Sequence, residues 1–150
     1  MSDPPAFVVR TADWVADGEM LRAVRTEVFV EEQQVPPELE WDEEDRHAWH
    51  VLATTAEGAA VATGRLLRDG HIGRMAVLKQ WRGKGAGAAV LTELLRIAHA
   101  VGLDDLALNA QTHAIGFYAR FGFQAEGETF LEAGIPHRVM RRCSINRKSE

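Results

Sequence analysis

The chain has 150 residues, of which 46% are hydrophobic and 26% are charged, and its formal net charge is -5. This size and balance fit one globular domain with its own hydrophobic core, so the sequence predicts a single domain over residues 1–150. The acidic charge argues against a general nucleic-acid-binding function, because phosphate contacts need a broad basic surface.

The single cysteine, Cys143, excludes an internal disulfide and a cysteine-based zinc cluster. No apolar run approaches the roughly 20 residues that span a bilayer. Residues 1–5 contain no basic region followed by an apolar stretch, which is the pattern of a secretion signal. The sequence therefore predicts a cytoplasmic protein that binds neither a membrane nor a metal.

The N-terminal part is predicted to be a strand, a helix and a loop. Residues 6–10 form a short extended run, and residues 11–13 (Thr-Ala-Asp) are a candidate N-cap. Apolar residues then recur at helical spacing at Leu21, Val24, Val28 and Phe29. Pro36 and Pro37 are expected to end the helix and open an acidic loop.

Three strands are predicted next, over residues 47–54, 59–67 and 72–78. Glu57-Gly58 and Asp69-Gly70 have the composition of tight hairpin turns. The three strands should therefore be antiparallel neighbours.

The C-terminal half predicts a helix, a strand, a second helix and a hairpin. The first helix has the apolar stripe Val90, Leu94, Ile97 and Val101 and should end at Gly102. A buried strand over residues 106–110 precedes a helix from Thr112 to about Phe121, and residues 123–130 and 135–140 form a hairpin. The strand–helix–strand unit requires a parallel pair, so the predicted fold is α/β, a mixed sheet of seven strands flanked by helices.

The segment Gly83-Lys84-Gly85-Ala86-Gly87 is the most informative motif. Alternating glycines before a helix allow several backbone N–H groups to converge on an anion, where the helix dipole also favours negative charge. Arg82 and Lys84 would add positive charge. The spacing matches neither a P-loop nor a Rossmann fingerprint. A flexible Gly/Ala helix start packed close to the sheet is the alternative interpretation.

Arg82-x-x-Gly85-x-Gly87 before an amphipathic helix resembles the acyl-CoA pyrophosphate motif of the GNAT superfamily of N-acyltransferases. Residues 72–77 and 108–111 are similar to the two central strands of that family, which splay apart. The resemblance covers about residues 8–140. Two further segments resemble its ElaA-type branch: Arg25-x-x-Val28-Phe29-Val30-x-Glu32-Gln33-x-Val35-Pro36, and Gly134-Ile135-Pro136-His137.

The resemblance implies a GNAT-like sheet with a splayed central pair, acetyl-CoA as acyl donor, an amine acceptor and a homodimer. The implied donor-binding residues are Met75, Ala76, Val77, Arg82, Gly83, Lys84, Gly85, Ala86, Gly87, Asn109, Phe117 and Tyr118. A backbone N–H near Ala76 or Val77 would polarise the thioester. Tyr118, in Ala114-x-x-Phe117-Tyr118-x-x-x-Gly122-Phe123, is the candidate acid that protonates the leaving thiolate, and simple packing beside Phe117 is the alternative.

The acceptor site is less sharply defined, and the general base stays open among six histidines and the acidic cluster. Arg25-x-x-x-Phe29, Glu40-x-Asp42-x-x-Asp45 and Arg65 are similar to the N-terminal pattern of acyl-homoserine-lactone synthases. The resemblance implies an acceptor pocket whose acidic residues attract a cationic amine. Its candidate residues are Arg25, Phe29, Glu40, Asp42, Asp45, Arg65 and His137. The alternatives to an N-acetyltransferase are a lactone-synthase-like enzyme and a non-catalytic CoA-binding module.

Overall fold

A seven-stranded mixed sheet organises the computed structural model, which describes residues 7–36 and 42–143. The strands are β1 (Phe7–Ala12), β2 (Trp49–Thr55), β3 (Ala60–Leu66), β4 (His71–Val77), β5 (Leu106–Gln111), β6 (Gln124–Glu132) and β7 (Ile135–Arg142). Their order is β1-β2-β3-β4-β5-β7-β6, and β4 and β5 are the parallel pair. The predicted α/β mixed sheet is confirmed.

Helices cover both faces of the sheet. They are α1 (Gly18–Arg25), α2 (Ala86–Ala100) and α3 (Ile115–Ala119), with a π-helical segment (Thr26–Glu32) after α1 and 3-10 turns at Glu43–Arg46, Lys79–Trp81 and Thr112–Ala114. Within residues 7–36 and 42–143, no helix is both long and apolar enough to cross a bilayer.

The central strands β4 and β5 separate after two residue pairs, His71↔Ala107 and Ile72↔Leu108. Arg74 has a φ of 52°, which is unusual for a residue with a side chain, and the register of β4 with β3 shifts here. A bulge of this kind bends a strand and increases its twist. It therefore lies where β4 leaves β5, and a wedge opens between the two strands.

Helix α2 packs on one face of the sheet through the buried residues Val90, Leu91 and Leu94. Gly64 of β3 allows this close approach: a Cβ at this position would lie 2.7 Å from the Met75 sulfur and 2.9 Å from Leu94 Cδ1. A larger residue there would have to displace these side chains.

Helix α1 covers the opposite face. Leu21 packs with Leu52, while Val24 and Val28 pack against Ala76 of β4. The two helical layers therefore meet β4 from opposite sides, and the wedge beside β4 is accessible from both.

Several predicted boundaries are wrong. Strand β1 continues to Ala12, and α1 begins at Gly18 because Asp13 instead accepts hydrogen bonds from the backbone N–H groups of Val15 and Ala16, at 3.0 and 2.7 Å, and stabilises a turn. The helix predicted from Thr112 to about Phe121 is a 3-10 turn followed by the five-residue α3. Strand β2 begins at Trp49, after the 3-10 turn of the acidic segment has ended.

Candidate active site

The wedge between β4 and β5 forms a cleft of about 1380 Å³. The exposed edge of β4 and the glycine-rich turn form one wall, and β5, α3 and the β6–β7 hairpin form the other. Residues of the π-helical segment also line it. One continuous cavity therefore adjoins the glycine motif, both splayed strands and the C-terminal hairpin.

The glycine-rich turn places backbone donors at one end of this cleft. Gly83 and Gly85 have φ values of 77° and 92°, so the turn depends on glycine at both positions. Gly85 is the N-cap of α2 and supplies no side-chain cap. The first-turn N–H groups therefore remain available, and Ala86 and Gly87 line the cleft. This arrangement can bind an anion.

The edge of β4 beyond Ile72 faces the cleft. Met75 packs with the α2 side of the core and Ala76 with the α1 side, so the backbone itself faces β5. Because pairing with β5 ends at Ile72, peptide groups of Met75 to Val77 can pair with an extended ligand.

Tyr118 lies on α3, where it packs against Phe117 and Phe123 with ring centroids 5.0 and 6.1 Å away. Both Phe117 and Tyr118 line the cleft. Burial raises the pKa of Tyr118 to about 12, because the phenolate would lose its hydration. The side chain is therefore a neutral phenol that can donate a proton at any physiological pH.

Arginines neutralise the acidic segment on the α1 side. The Arg25 guanidinium binds both oxygens of Asp45, at 2.9 and 3.2 Å. Arg65 binds Asp45 at 2.8 Å and Asp42 at 2.8 and 3.1 Å, and Arg74 lies 3.4 Å from Asp42. The side chain of Asp45 is 0% exposed and that of Arg25 is 1% exposed.

This ion network bears on the hypothesis that Asp42 and Asp45 attract a cationic amine, because both carboxylates are already paired with arginines. Asp45 is buried and already paired with two arginines, so it holds the acidic segment against α1 and β3. Asp42 pairs with Arg65 and Arg74. Arg65, which is 6% exposed, and Arg74 are the members of the network that also line the cleft.

Comparisons with known proteins agree with this geometry. Residues 15–143 match the family model of the acetyltransferase (GNAT) domain. The chain belongs to the GNAT acetyltransferase family. It is 39% identical over 120 residues to YjcF of Bacillus subtilis, an uncharacterized N-acetyltransferase, with 78% of this chain and 86% of YjcF covered.

Solved structures show the same relationship for this GNAT protein. An acyl-CoA N-acyltransferase from Pseudomonas aeruginosa superimposes with a TM-score of 0.81 at 33% identity, covering 91% of this chain and 99% of that one. Escherichia coli ElaA gives a TM-score of 0.81 at 28% identity over 91% of this chain and 99% of its own. The predicted resemblance to the GNAT superfamily and its ElaA-type branch is confirmed, and the protein is an acyl-CoA-dependent acetyltransferase.

Most residues predicted for the site of this acetyltransferase line its cleft: Phe29, Arg65, Met75, Ala76, Val77, Arg82, Gly83, Gly85, Ala86, Gly87, Asn109, Phe117, Tyr118 and His137. Four described residues lie outside the lining: Arg25, Asp42, Asp45 and Lys84. Glu40 falls outside the described residues.

The polar side chains of the cleft that sequence reasoning missed include Gln33, Gln111 and Glu132. Gln33, after the π-helical segment, accepts a hydrogen bond from Gln111 of β5 at 3.0 Å. Glu132, at the end of β6, accepts one from Asn109 at 3.0 Å. Neutral amides and an exposed glutamate carry no sequence signal that separates them from ordinary surface residues. In residues 7–36 and 42–143, no group of three or more His, Cys, Asp or Glu side chains could hold a metal ion.

The sequence predicts that Arg82 supplies positive charge to the pyrophosphate, but in the structure its guanidinium is paired with Glu32. Its two terminal nitrogens bind Glu32 at 2.6 Å each, and its Nε donates to the carbonyl of Val77 at 3.0 Å. Hydrogen bonding to Arg82 lowers the pKa of Glu32. Arg82 therefore links the glycine-rich turn to β4 and to the π-helical segment, and Glu32 offsets its charge.

Glu32→Gln and Arg82→Gln should weaken acetyl-CoA binding to a similar degree, about two- to fivefold each, because both remove the same link from a half-exposed pair. The double variant should bind no more weakly than either single variant. Titration calorimetry at fixed ionic strength measures the three affinities. Tighter binding by Glu32→Gln would show instead that Arg82 acts on the donor directly.

Proposed function

We propose that this protein is an acetyl-CoA-dependent N-acetyltransferase that transfers the acetyl group directly to a primary amine. The observation that carries the proposal is the continuity of the cleft. A single cavity adjoins the uncapped N-terminus of α2, the open edge of β4 and the neutral phenol of Tyr118. These are the three groups that a CoA thioester needs along its length: an anion site, a backbone strand and an acid.

In this proposal, the first-turn N–H groups of α2 bind the pyrophosphate, and the pantetheine pairs with the edge of β4. A backbone N–H near Ala76 or Val77 stabilises the oxyanion that develops on the thioester carbonyl. The amine attacks the carbonyl carbon, and Tyr118 protonates the thiolate as the carbon–sulfur bond breaks. The resulting reaction needs no acyl group on the protein, and it is proposed to take place in the cytoplasm.

The acceptor enters between the hairpin and the π-helical segment in this scheme. Phe29 and Arg65 border that end of the cleft, and His137 contributes a ring nitrogen. Arg65 is fixed there by the two aspartates of the ion network. The aspartates thus shape the acceptor site through Arg65, and a primary amine on a small molecule or a protein is the proposed acceptor.

Acetyl-CoA at about 100 times its dissociation constant should stabilise the protein by about 2.7 kcal/mol. For a chain of this size, the melting temperature should rise by about 5–10 °C. Gly85→Leu should abolish this shift, because a side chain at a φ of 92° distorts the turn that presents the N–H groups of α2. Differential scanning fluorimetry with and without acetyl-CoA measures the effect.

Gly58→Leu is the matched control. Gly58 has a φ of 91° in the β2–β3 hairpin, outside the cleft lining, so the variant carries a similar backbone strain. It should keep the shift of the wild type. An absent shift in the wild-type protein would refute acetyl-CoA as the donor. A shift without CoA release from any amine would favour a non-catalytic CoA-binding protein, and a lactone formed from S-adenosylmethionine would favour the synthase alternative.

A further inference from the structure

The cleft is lined by three histidines, His71, His113 and His137, which differ in burial. His71 is at the closed end of the wedge, is exposed, and lies 3.0 Å from Asp69. His113 is exposed on the 3-10 turn after β5. His137 is 6% exposed, so it is the histidine of this group with a defined, desolvated environment.

One ring nitrogen of His137 is already engaged. Its Nδ1 lies 2.6 Å from the carbonyl oxygen of Ile135, a geometry in which Nδ1 carries the proton and donates it. The ring also stacks on Phe130, with centroids 5.9 Å apart. These two contacts fix the ring, so Nε2 is left as an acceptor toward the cleft.

A carboxylate lies near Nε2. Glu132 Oε2 lies 3.9 Å from His137 Nε2, and Asn109 holds the other carboxylate oxygen at 3.0 Å. Among the described residues, other polar groups on this side include Gln111, paired with His137 across β5 and β7, Gln33, which bonds Gln111, and His113, on a turn that packs against β7. A proton taken up by Nε2 therefore faces a carboxylate that a neighbouring amide orients.

His137 and Tyr118 reach the wedge from opposite faces of the sheet. Gln111 and His137 are directly paired, so their side chains share a face, and Gln111 bonds Gln33 in the α1 layer. Tyr118 packs with the core on the α2 side. The phenol thus approaches from the donor side and the imidazole from the side assigned to the acceptor.

From this geometry we infer that His137 is the general base of the reaction, with Glu132 as the residue that positions and stabilises the protonated ring. The inference rests on the proposed N-acetyltransferase function and adds the group that generates the free amine. The carboxylates that line the cleft are less suited. Glu32 is held by Arg82, and Glu132 is 48% exposed and held by Asn109. Asp69 is exposed beside His71 at the closed end of the wedge, and Glu44 is exposed on a 3-10 turn.

In the inferred reaction, Nε2 of His137 first takes one proton from the ammonium group of the acceptor. The neutral nitrogen then forms a bond to the thioester carbon. The carbon–sulfur bond breaks, its electron pair goes to sulfur, and Tyr118 supplies the proton of the thiol. A second proton lost from the attacking nitrogen restores Tyr118, and the proton on His137 leaves to solvent past Glu132. The products are the amide, CoA and one released proton.

The tautomer of His137 provides a test that needs no turnover. Nitrogen-15 NMR of the imidazole groups, assigned with His137→Asn, should show a protonated Nδ1 and a bare Nε2 in the neutral ring. Free histidine prefers the opposite tautomer, so this signature is specific to the site. A neutral His137 with its proton on Nε2 would overturn the inference, whether or not the protein is an enzyme.

Kinetics provides the second test, with ethylamine and 2,2,2-trifluoroethylamine as probe acceptors and CoA release as the readout. His137→Asn can keep a donor near the Ile135 carbonyl but lacks the basic Nε2. It should lower kcat/KM for ethylamine about 100-fold or more, and less than about fivefold for the fluorinated amine, which is already unprotonated at neutral pH. Glu132→Gln should also lower kcat/KM more for ethylamine than for the fluorinated amine, and by less than His137→Asn does.

His99→Asn is the control, because it removes an exposed histidine of α2 that lies outside the cleft lining, and it should leave both rates near the wild-type values. Equal losses for the two amines in His137→Asn would assign the residue to acceptor binding and overturn the base assignment. The same follows if Glu132→Gln alone abolishes turnover. A wild-type protein that releases no CoA with any amine refutes the proposed function, and the tautomer measurement still decides the geometry of His137.

Discussion

Tyr118→Phe is expected to lower kcat by about 100-fold or more, while the affinity for acetyl-CoA changes less than about threefold. The substitution removes one hydroxyl group and keeps the ring that packs against Phe117 and Phe123. In the proposed mechanism, donor binding depends on the glycine-rich turn and the edge of β4, which the substitution leaves in place. Steady-state kinetics and titration calorimetry on the same preparation separate the two effects.

The raised pKa supplies an independent check of the tyrosine environment. In the folded protein the pKa of Tyr118 is about 12, whereas an unfolded chain ionises near 10. Between these values the folded state holds a proton that the unfolded state has released, so stability is present below about pH 10 and falls as pH rises through this window. Tyr118→Phe should lack this alkaline loss. An unchanged kcat would exclude Tyr118 as the acid, even if the stability profile behaves as expected.

Asp45→Asn should destabilise the protein by about 3–5 kcal/mol, which lowers the melting temperature by about 6–20 °C. The substitution leaves Arg25 and Arg65 facing a neutral amide in a site where Asp45 is 0% exposed and Arg25 is 1% exposed. An unpaired buried charge costs far more than a surface pair contributes. Glu126→Gln is the matched control, because its ion pair with Arg141 is more than half exposed, and its effect should stay below about 1 kcal/mol.

The pH dependence of this effect follows from the Asp45 pKa. Burial alone would raise it, but hydrogen bonds and charges from Arg25 and Arg65 outweigh burial and lower the pKa. A lowered carboxylate pKa gives stability that is present above the unfolded pKa of about 3.9 and lost as pH falls through the folded value. The difference in the free energy of unfolding between wild type and Asp45→Asn should therefore be constant above about pH 5 and become smaller below about pH 4. A difference in melting temperature between wild type and Asp45→Asn of less than about 2 °C at pH 7 would contradict the expected contribution of the ion network to stability.

The fold could be predicted from the sequence because its signals are local. The turn sequences at Gly58 and Gly70 predict antiparallel neighbouring strands, and the strand–helix–strand unit around α2 predicts a parallel pair. Boundaries failed where a side chain competed with the backbone: Asp13 stabilises a turn, which delays α1 until Gly18.

The same contrast between local signals and distant contacts applies to the candidate site. The glycine-rich turn and Tyr118, which the sequence singles out because each belongs to a contiguous motif, both line the cleft. The partners of Arg82 and Asp45 could not be foreseen, because Glu32 is 50 positions from Arg82, and Arg25 and Arg65 are each 20 positions from Asp45. The sequence shows only that a charged residue could attract a ligand. The folded structure shows whether another side chain of the protein already pairs with that charge.

The hydrogen bond between Gln33 and Gln111 gives the wedge a mechanical property. The two halves of the sheet meet at the apex through two residue pairs of β4 and β5. Farther along the wedge, this hydrogen bond of 3.0 Å joins the residue after the π-helical segment to β5. β5 is therefore held at the apex by backbone pairing and near its end by one side-chain bond, and a ligand that moves β5 away from the π-helical segment must first break that bond.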